Sequence, residues 1–230
     1  MAVDRYSIYR DYIEAQKEEY EKAIIEIHRI IQELRKGIVI NNKIIKIKGD
    51  VKVEGRIKAF KSAFKNDRTD SKALDDCFGI RIVADNTVEL FFIKEIMKRL
   101  SNPEIKRMLD IEDNVNYKIQ KEKDHAERQE TNYNALHQII VRNSQNPVSP
   151  LIEVQYWDKE LERRCTFGDL KHDTYKSEKY LETINGGIGR ELPEYYEFDE
   201  SGELVLLSKE QAIKKMFPEN EDRDDGEERT

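Results

Sequence analysis

At 230 residues the chain fits one ordinary domain with appended helices, long enough to bury a sizeable core. Charged residues make up 38% and mean hydropathy is −0.81, yet the apolar residues fall into periodic blocks, which excludes a wholly disordered chain. The start, MAVDRYSIYRDY, has no apolar core of signal-peptide type, and no apolar run approaches the roughly 20 residues that span a bilayer, so no membrane partner is expected and the location expected is cytoplasmic.

Cys77 and Cys165 have no close-paired metal spacing and are too few for a disulfide framework, so they are read as packing residues of a reducing compartment. The net charge of −7 is unevenly spread. Residues 219–230 hold seven acidic residues against Arg223 and Arg229 and read as a disordered, solubilising tail. Residues 35–68 hold eleven Lys or Arg against Asp50, Glu54 and Asp67, so the low overall pI does not exclude a polyanionic partner.

In chain order, Ile13, Tyr20, Ile24, Ile27, Ile31 and Leu34 recur at three- and four-residue intervals ahead of Gly37, which predicts a long amphipathic helix. Ile45 and Ile47, then Val51, Val53, Gly55 and Ile57, alternate with charged residues on either side of Gly49-Asp50 and predict a two-stranded hairpin. Its alternation puts Arg56 and Lys58 on the face opposite the buried one. A short helix from about Ser62 follows, whose first turn offers a hydroxyl and free N–H groups suited to phosphate, although a serine cap without ligand is the commoner situation. Further strands are expected at 78–84, 115–120, 135–142 and 151–157, with a helix at 88–100, completing a mixed sheet of about five strands in an α/β (α+β) fold. Helical patterns resume over 159–181, Asn185-Gly186-Gly187 breaks the chain, and a last short helix spans 208–217. Residues 194–207, with Tyr195, Tyr196 and Phe198, give no basis for choosing between a cover over the domain, a partner surface and a swapped segment.

Two carboxylates carry the chemistry. Asp76 enters the strand-like run DCFGIRIVA, and Glu153 shares one face of LIEVQYW with Gln155. Burying Glu153 without a partner is costly. A divalent metal shared with Asp76 removes that cost, and so does a salt bridge to Arg81 or Arg142; spacing alone leaves both open. Tyr133 and His137 flank a loop-to-strand junction, where a ring can stack on a base and an imidazole can donate to phosphate. His172 and Tyr175, three residues apart, read as structural.

The series GRIKAFKS, DCFGIRIV, TNYNALHQI, IEVQ and LKHDTYK, in that order over residues 51–176, resembles the synthetase domain of the RelA/SpoT family, the small alarmone synthetases in particular. The resemblance implies a nucleotidyltransferase-like fold and transfer of pyrophosphate from ATP to the ribose 3′-hydroxyl of GDP or GTP, releasing AMP. It implies that Arg56, Lys58 and Ser62 hold ATP and that Asp76 and Glu153 bind magnesium. Glu153, with Gln155 nearby, would orient or deprotonate the attacking hydroxyl, Tyr133 would stack on the acceptor base, and His137 would contact phosphates. It divides the chain into an N-terminal helix (1–40), a synthetase domain (41–182), a C-terminal extension (183–218) and the acidic tail (219–230), with no hydrolase domain. Homo-oligomers are frequent among the small synthetases, and the long N-terminal helix or the helices after Lys159 are the surfaces for one.

Two departures bear on the substrates. The lysine usually found four residues after the motif serine falls at Asn66, with Lys65 adjacent as its substitute. The acceptor loop reads Gln129-Glu130-Thr131-Asn132-Tyr133, then Asn134-Ala135-Leu136-His137, keeping tyrosine and histidine but not the usual lysine, asparagine and glycine, and Trp157-Asp158 replaces the usual Arg-Thr. Three readings follow: an alarmone synthetase; a toxic relative acting on the tRNA 3′ end or adenine nucleotides, with an antitoxin protein as partner; and a catalytically silent RNA-binding module, against which the retained carboxylate pair argues.

Overall fold

The computed structural model describes residues 4–40, 43–64, 69–112, 115, 117–124, 135–143, 145–146, 148–166 and 192–216. The expected long helix is α1 (Arg5–Lys36). Asp4 caps it by accepting from the Tyr6 amide at 3.0 Å, Arg35 and Lys36 sit at the negative end of its dipole, and Gly37 ends it at φ 106°, where a side chain would be strained.

β1 (Ile38–Ile40) and β2 (Lys43–Ile45) form a separate antiparallel pair. The hairpin expected around Gly49-Asp50 is therefore not made. The Ile47 amide donates to the Leu34 carbonyl at 3.0 Å, tying this segment to the end of α1. The amides of Lys48 and Gly49 donate to Glu89, and that of Asp50 to Asp85, so side chains hold the corner that a hairpin turn would have closed.

β3 (Val51–Ile57) instead joins the main sheet. After α2 (Phe60–Ala63) and α3 (Asp70–Leu74) come β4 (Phe78–Ala84), α4 (Thr87–Lys98), α5 (Pro103–Met108), β5 (Lys118–Asp124), β6 (Leu136–Val141) and β7 (Ile152–Asp158). They are followed by α6 (Lys159–Thr166), β8 (Glu194–Phe198), β9 (Leu204–Leu206) and α7 (Lys209–Met216). The rest of the helix expected to reach residue 181 lies outside the described residues.

The mixed sheet has seven strands in the order β5-β6-β7-β4-β3-β8-β9, with β4 and β7 parallel and the other pairs antiparallel. Two more strands than expected come from residues 194–206, β9 being only three residues long. Asp199 organises their turn by accepting from the amides of Ser201 and Glu203, and Gly202 supplies φ 84°. β5 starts three residues later than its pattern suggested and runs on through the charged stretch Lys121–Asp124, which an edge strand tolerates.

The register gives the sheet two unlike faces. Val53, Gly55, Ile57, Ile80, Ile82, Val154 and Tyr156 are buried in one core with Tyr20, Ile24, Ile27 and Ile31 of α1 and Leu90 and Ile93 of α4. Each fully buried isoleucine contributes up to about 3 kcal/mol, so the α1 stripe is a major part of the fold's stability. The other face carries Glu54, Arg56, Arg81, Glu153, Gln155 and His137, and is bounded by a small apolar cluster of Val83, Ala135, Trp157 and Leu161. No described helix is long and apolar enough to cross a membrane.

Gly55 is where α1 approaches most closely: a Cβ there would lie 2.4 Å from Ile24 Cδ1 and 2.8 Å from the Tyr20 hydroxyl. Both neighbours are fully buried and cannot swing aside. Gly55→Ala is expected to cost about 1–3 kcal/mol, lowering the thermal midpoint followed by circular dichroism. A midpoint equal to that of the parent protein would show that α1 can lift off β3 freely.

Candidate functional site

The site is assembled from strand ends on the polar face. Register places Arg56 opposite both Gly79 and Tyr195, Glu153 beside Gly79, Gln155 beside Arg81, and His137 opposite Gln155. Arg56, Lys58, Arg81, Glu153, Gln155 and Tyr195 line one concavity.

Lys58 and Asp76 lie just beyond the paired ends of β3 and β4. The Lys58 amide donates to the Cys77 carbonyl at 2.9 Å, and the Tyr9 hydroxyl of α1 donates to the Lys58 carbonyl at 2.6 Å. That anchoring brings Lys58 Nζ to 2.6 Å from Asp76 Oδ1. Cys77 points into the core, donates from Sγ to the Ala73 carbonyl, and has its thiol pushed up to about 12, by burial first and then by Asp76, so it is inert packing.

Glu153 is met by two donors. His137 Nδ1 lies 3.1 Å from Oε1, and Gln155 Nε2 donates to Oε2 at 2.9 Å. A carboxylate only accepts, so the Nδ1 of His137 carries the proton. Burial pushes the Glu153 carboxyl up, but His137, Gln155 and the Lys58 charge outweigh it and hold the pKa at about 2. The salt-bridge alternative falls to other partners: Arg142 pairs with Glu19 and Glu26 of α1, and Arg81 pairs with Glu54 while stacking on Trp157 at 3.6 Å.

One expectation needs correction. Ser62 is not the helix cap: Ala59 holds that position, and the Ser62 amide already donates to the Ala59 carbonyl at 2.9 Å. The helix starts two residues early because Phe60 and Phe64 pack against Tyr9, Phe60 also meeting Tyr6. Lys65, Tyr133, His172 and Tyr175 lie outside the described residues.

Sequence reading missed the part played by Glu54. It is buried on the polar face and held by Lys52, Arg81 and Lys215 of α7, so that its carboxyl, pushed up by burial, is pulled down to about 2 by Lys215, Lys52 and Arg81. The alternation of β3 placed it beside Arg56, but a partner 161 residues away left no local signal.

A sequence pattern described as "Region found in RelA / SpoT proteins" matches residues 55–180, more than half of the chain, and takes in Arg56, Asp76, His137 and Glu153. The chain belongs to the RelA/SpoT family. The mixed α/β class expected from the sequence is the one observed. Among solved structures, the RelA/SpoT chain is similar to Bacillus subtilis small alarmone synthetase 1 bound to its product pppGpp, with 13% identity, 79% of this chain and 84% of that chain covered, and a TM-score of 0.48. For small alarmone synthetase 2 from Bacillus subtilis the values are 16%, 59%, 65% and 0.37, and for smu.1046c from Streptococcus mutans 12%, 77%, 80% and 0.45. No curated protein gives a significant match.

Both depressed carboxyls stabilise the folded state above the ordinary pKa of 4.5 and lose that contribution as pH falls towards about 2. Each contributes at most about 3 kcal/mol. His137→Ala should move Glu153 back towards 4.5, flattening the dependence of stability on pH in that window while the Glu54 part persists. Urea unfolding from pH 2 to 5 measures this, and an unchanged slope would refute the His137–Glu153 coupling.

Proposed function

We propose that this RelA/SpoT protein is a pyrophosphokinase that transfers the β,γ-pyrophosphate of ATP to the ribose 3′-hydroxyl of GDP or GTP, giving (p)ppGpp and AMP. The observation that carries it is the meeting of Lys58–Asp76 and His137–Glu153–Gln155 on one polar sheet face of a RelA/SpoT chain. In the reaction the 3′-oxygen bonds to the β-phosphorus as the bond from that phosphorus to the α–β bridging oxygen breaks; AMP leaves carrying the bridging oxygen, and the hydroxyl proton passes to water.

Magnesium fits the residues present. Asp76 and Glu153 share the influence of the single Lys58 ammonium, and hard oxygen donors of this kind suit Mg2+. Among the described residues no three His, Cys, Asp or Glu side chains form a metal cage. Two carboxylates suit a Mg2+ site completed by substrate phosphates and water rather than by protein alone. When bound, the ion would neutralise charge on the transferring phosphates.

Arg56 and Lys58 are assigned to ATP, Lys58 to its phosphates and Arg56 to its adenine or phosphates. Glu153, ionised down to about pH 2, is too weak a base to store a proton near neutrality, which favours ligand and orienting roles for it. Transfer through a loose transition state asks little of a base, so a hydroxyl oriented by Glu153 and Gln155 suffices. His137 both holds Glu153 and reaches the acceptor side of the face.

The altered loop around Tyr133 favours a second acceptor, the 3′ end of tRNA. Against it, several cations of the basic stretch are already paired within the chain, Arg35 with Asp50, Lys52 with Glu54 and Lys58 with Asp76, which leaves less charge for a phosphate backbone.

The purified protein incubated with γ-labelled ATP, Mg2+ and GDP, GTP, ATP alone or deacylated tRNA separates these readings. Label is expected in GDP or GTP. Asp76→Asn and Glu153→Gln should each reduce it about 10²–10³-fold with the far-ultraviolet dichroism retained. Label appearing only in tRNA establishes the second reading, and a fully active Asp76→Asn refutes the magnesium assignment.

A further inference from the structure

The C-terminal strand β8 adds a residue to the concavity that no motif singled out. Tyr195 lies directly across from Arg56 in the β3–β8 register and lines the same concavity as Lys58 and Glu153. Its neighbour Tyr196 points the other way, 2% exposed, packed edge-on against Tyr20 and over Gly55. Alternation then turns the Tyr195 ring to the polar face.

The placement is anchored at both ends of the strand. Glu194 takes Lys17 of α1 at 2.6 Å and the Tyr196 hydroxyl at 3.0 Å. Glu197, on the Tyr195 face, is joined to Glu54 of β3 through Lys215 of α7, whose ammonium also lies 5.8 Å from the centre of the Tyr195 ring. The ring is half-buried on a rigid strand rather than on a loop.

Distance along the face says what the ring can meet. Glu153 lies on β7 and Tyr195 on β8, three strands further on, about 14 Å at ~4.8 Å per strand. Lys58 and Asp76 lie between them, at the ends of β3 and β4. A nucleoside triphosphate with its phosphates at Lys58, Asp76 and Glu153 would bring its base to Tyr195 by extending towards β8, the side of the sheet away from His137 on β6.

Resting on the pyrophosphokinase reading, we propose that Tyr195 is the aromatic platform on which the adenine of the donor ATP stacks, beside the Arg56 guanidinium. A ring of this kind holds a purine by its π-face and contributes to base affinity, not to phosphate affinity.

The test is isothermal titration of the intact protein with Mg2+-ATP and, separately, Mg2+-tripolyphosphate. Tyr195→Ala should weaken ATP about 5- to 150-fold and leave tripolyphosphate unchanged, and Tyr195→Phe should bind both like the parent. In the label-transfer assay the alanine variant should raise KM for ATP more than it lowers kcat. Tyr195→Leu, which keeps apolar bulk on the strand, guards against misfolding and should show the same ATP-selective loss. Equal weakening of ATP and tripolyphosphate, or alanine and leucine variants that bind ATP like the parent, overturns the platform and leaves pyrophosphate transfer standing. A parent protein that binds neither ligand overturns the underlying reading and this one with it.

Discussion

The contact between α1 and the central strands is what the rest of the molecule depends on. Tyr20 donates its hydroxyl to the Gly79 carbonyl at 2.6 Å, and Tyr9 donates to the Lys58 carbonyl at the same distance. Both bonds run from the helix to backbone that carries the site on its far side. The absence of a side chain at Gly55 lets the helix come close enough for Ile24 and Tyr20 to fill the space above β3. One layer of packing thereby sets the height and tilt of β3 and β4, and with them where Arg56, Lys58 and Asp76 stand. α1 and the sheet share one hydrophobic core rather than forming separate layers.

On the opposite face the organising constraint is charge. Glu54, Arg81, Lys52 and Lys215 form one network, and Asp76, Lys58, Glu153 and His137 form another. In a half-buried setting each carboxylate needs compensation, and the compensation here is of two kinds. Glu54 is surrounded by three cations and is structural in character, fastening α7 to β3. Glu153 is met by His137 and Gln155, with the Lys58 charge a lesser influence. The two carboxyls are thus depressed to a similar degree by different partners.

Much of this was legible in the chain itself. The stripe from Ile13 to Leu34 and the glycine after it specify α1 almost residue by residue, because a helix is built from contacts three and four residues apart. The alternation of β3, β4 and β7 put Arg56, Glu153 and Gln155 on the polar face. The ordered motifs from Gly55 to Lys176 carried the family. The hairpin at Gly49-Asp50 failed because Glu89 and Asp85, about forty residues on, capture the amides a turn would have used. Ser62 lost its place as a cap because aromatic packing against α1 started the helix earlier.

The sequence by itself determined which residues could bear the chemistry: two carboxylates, a basic strand and a Glu-x-Gln pair, each on a face set by the period of its own element. Only the tertiary structure decided their partners. That Glu153 is held by His137 and Gln155 instead of an arginine, that Lys58 answers Asp76, and that Tyr195 from a late strand borders the same concavity all follow from strand order. Strand order is a matter of long-range register, and period-two alternation carries the face of a residue but not the identity of the strand beside it.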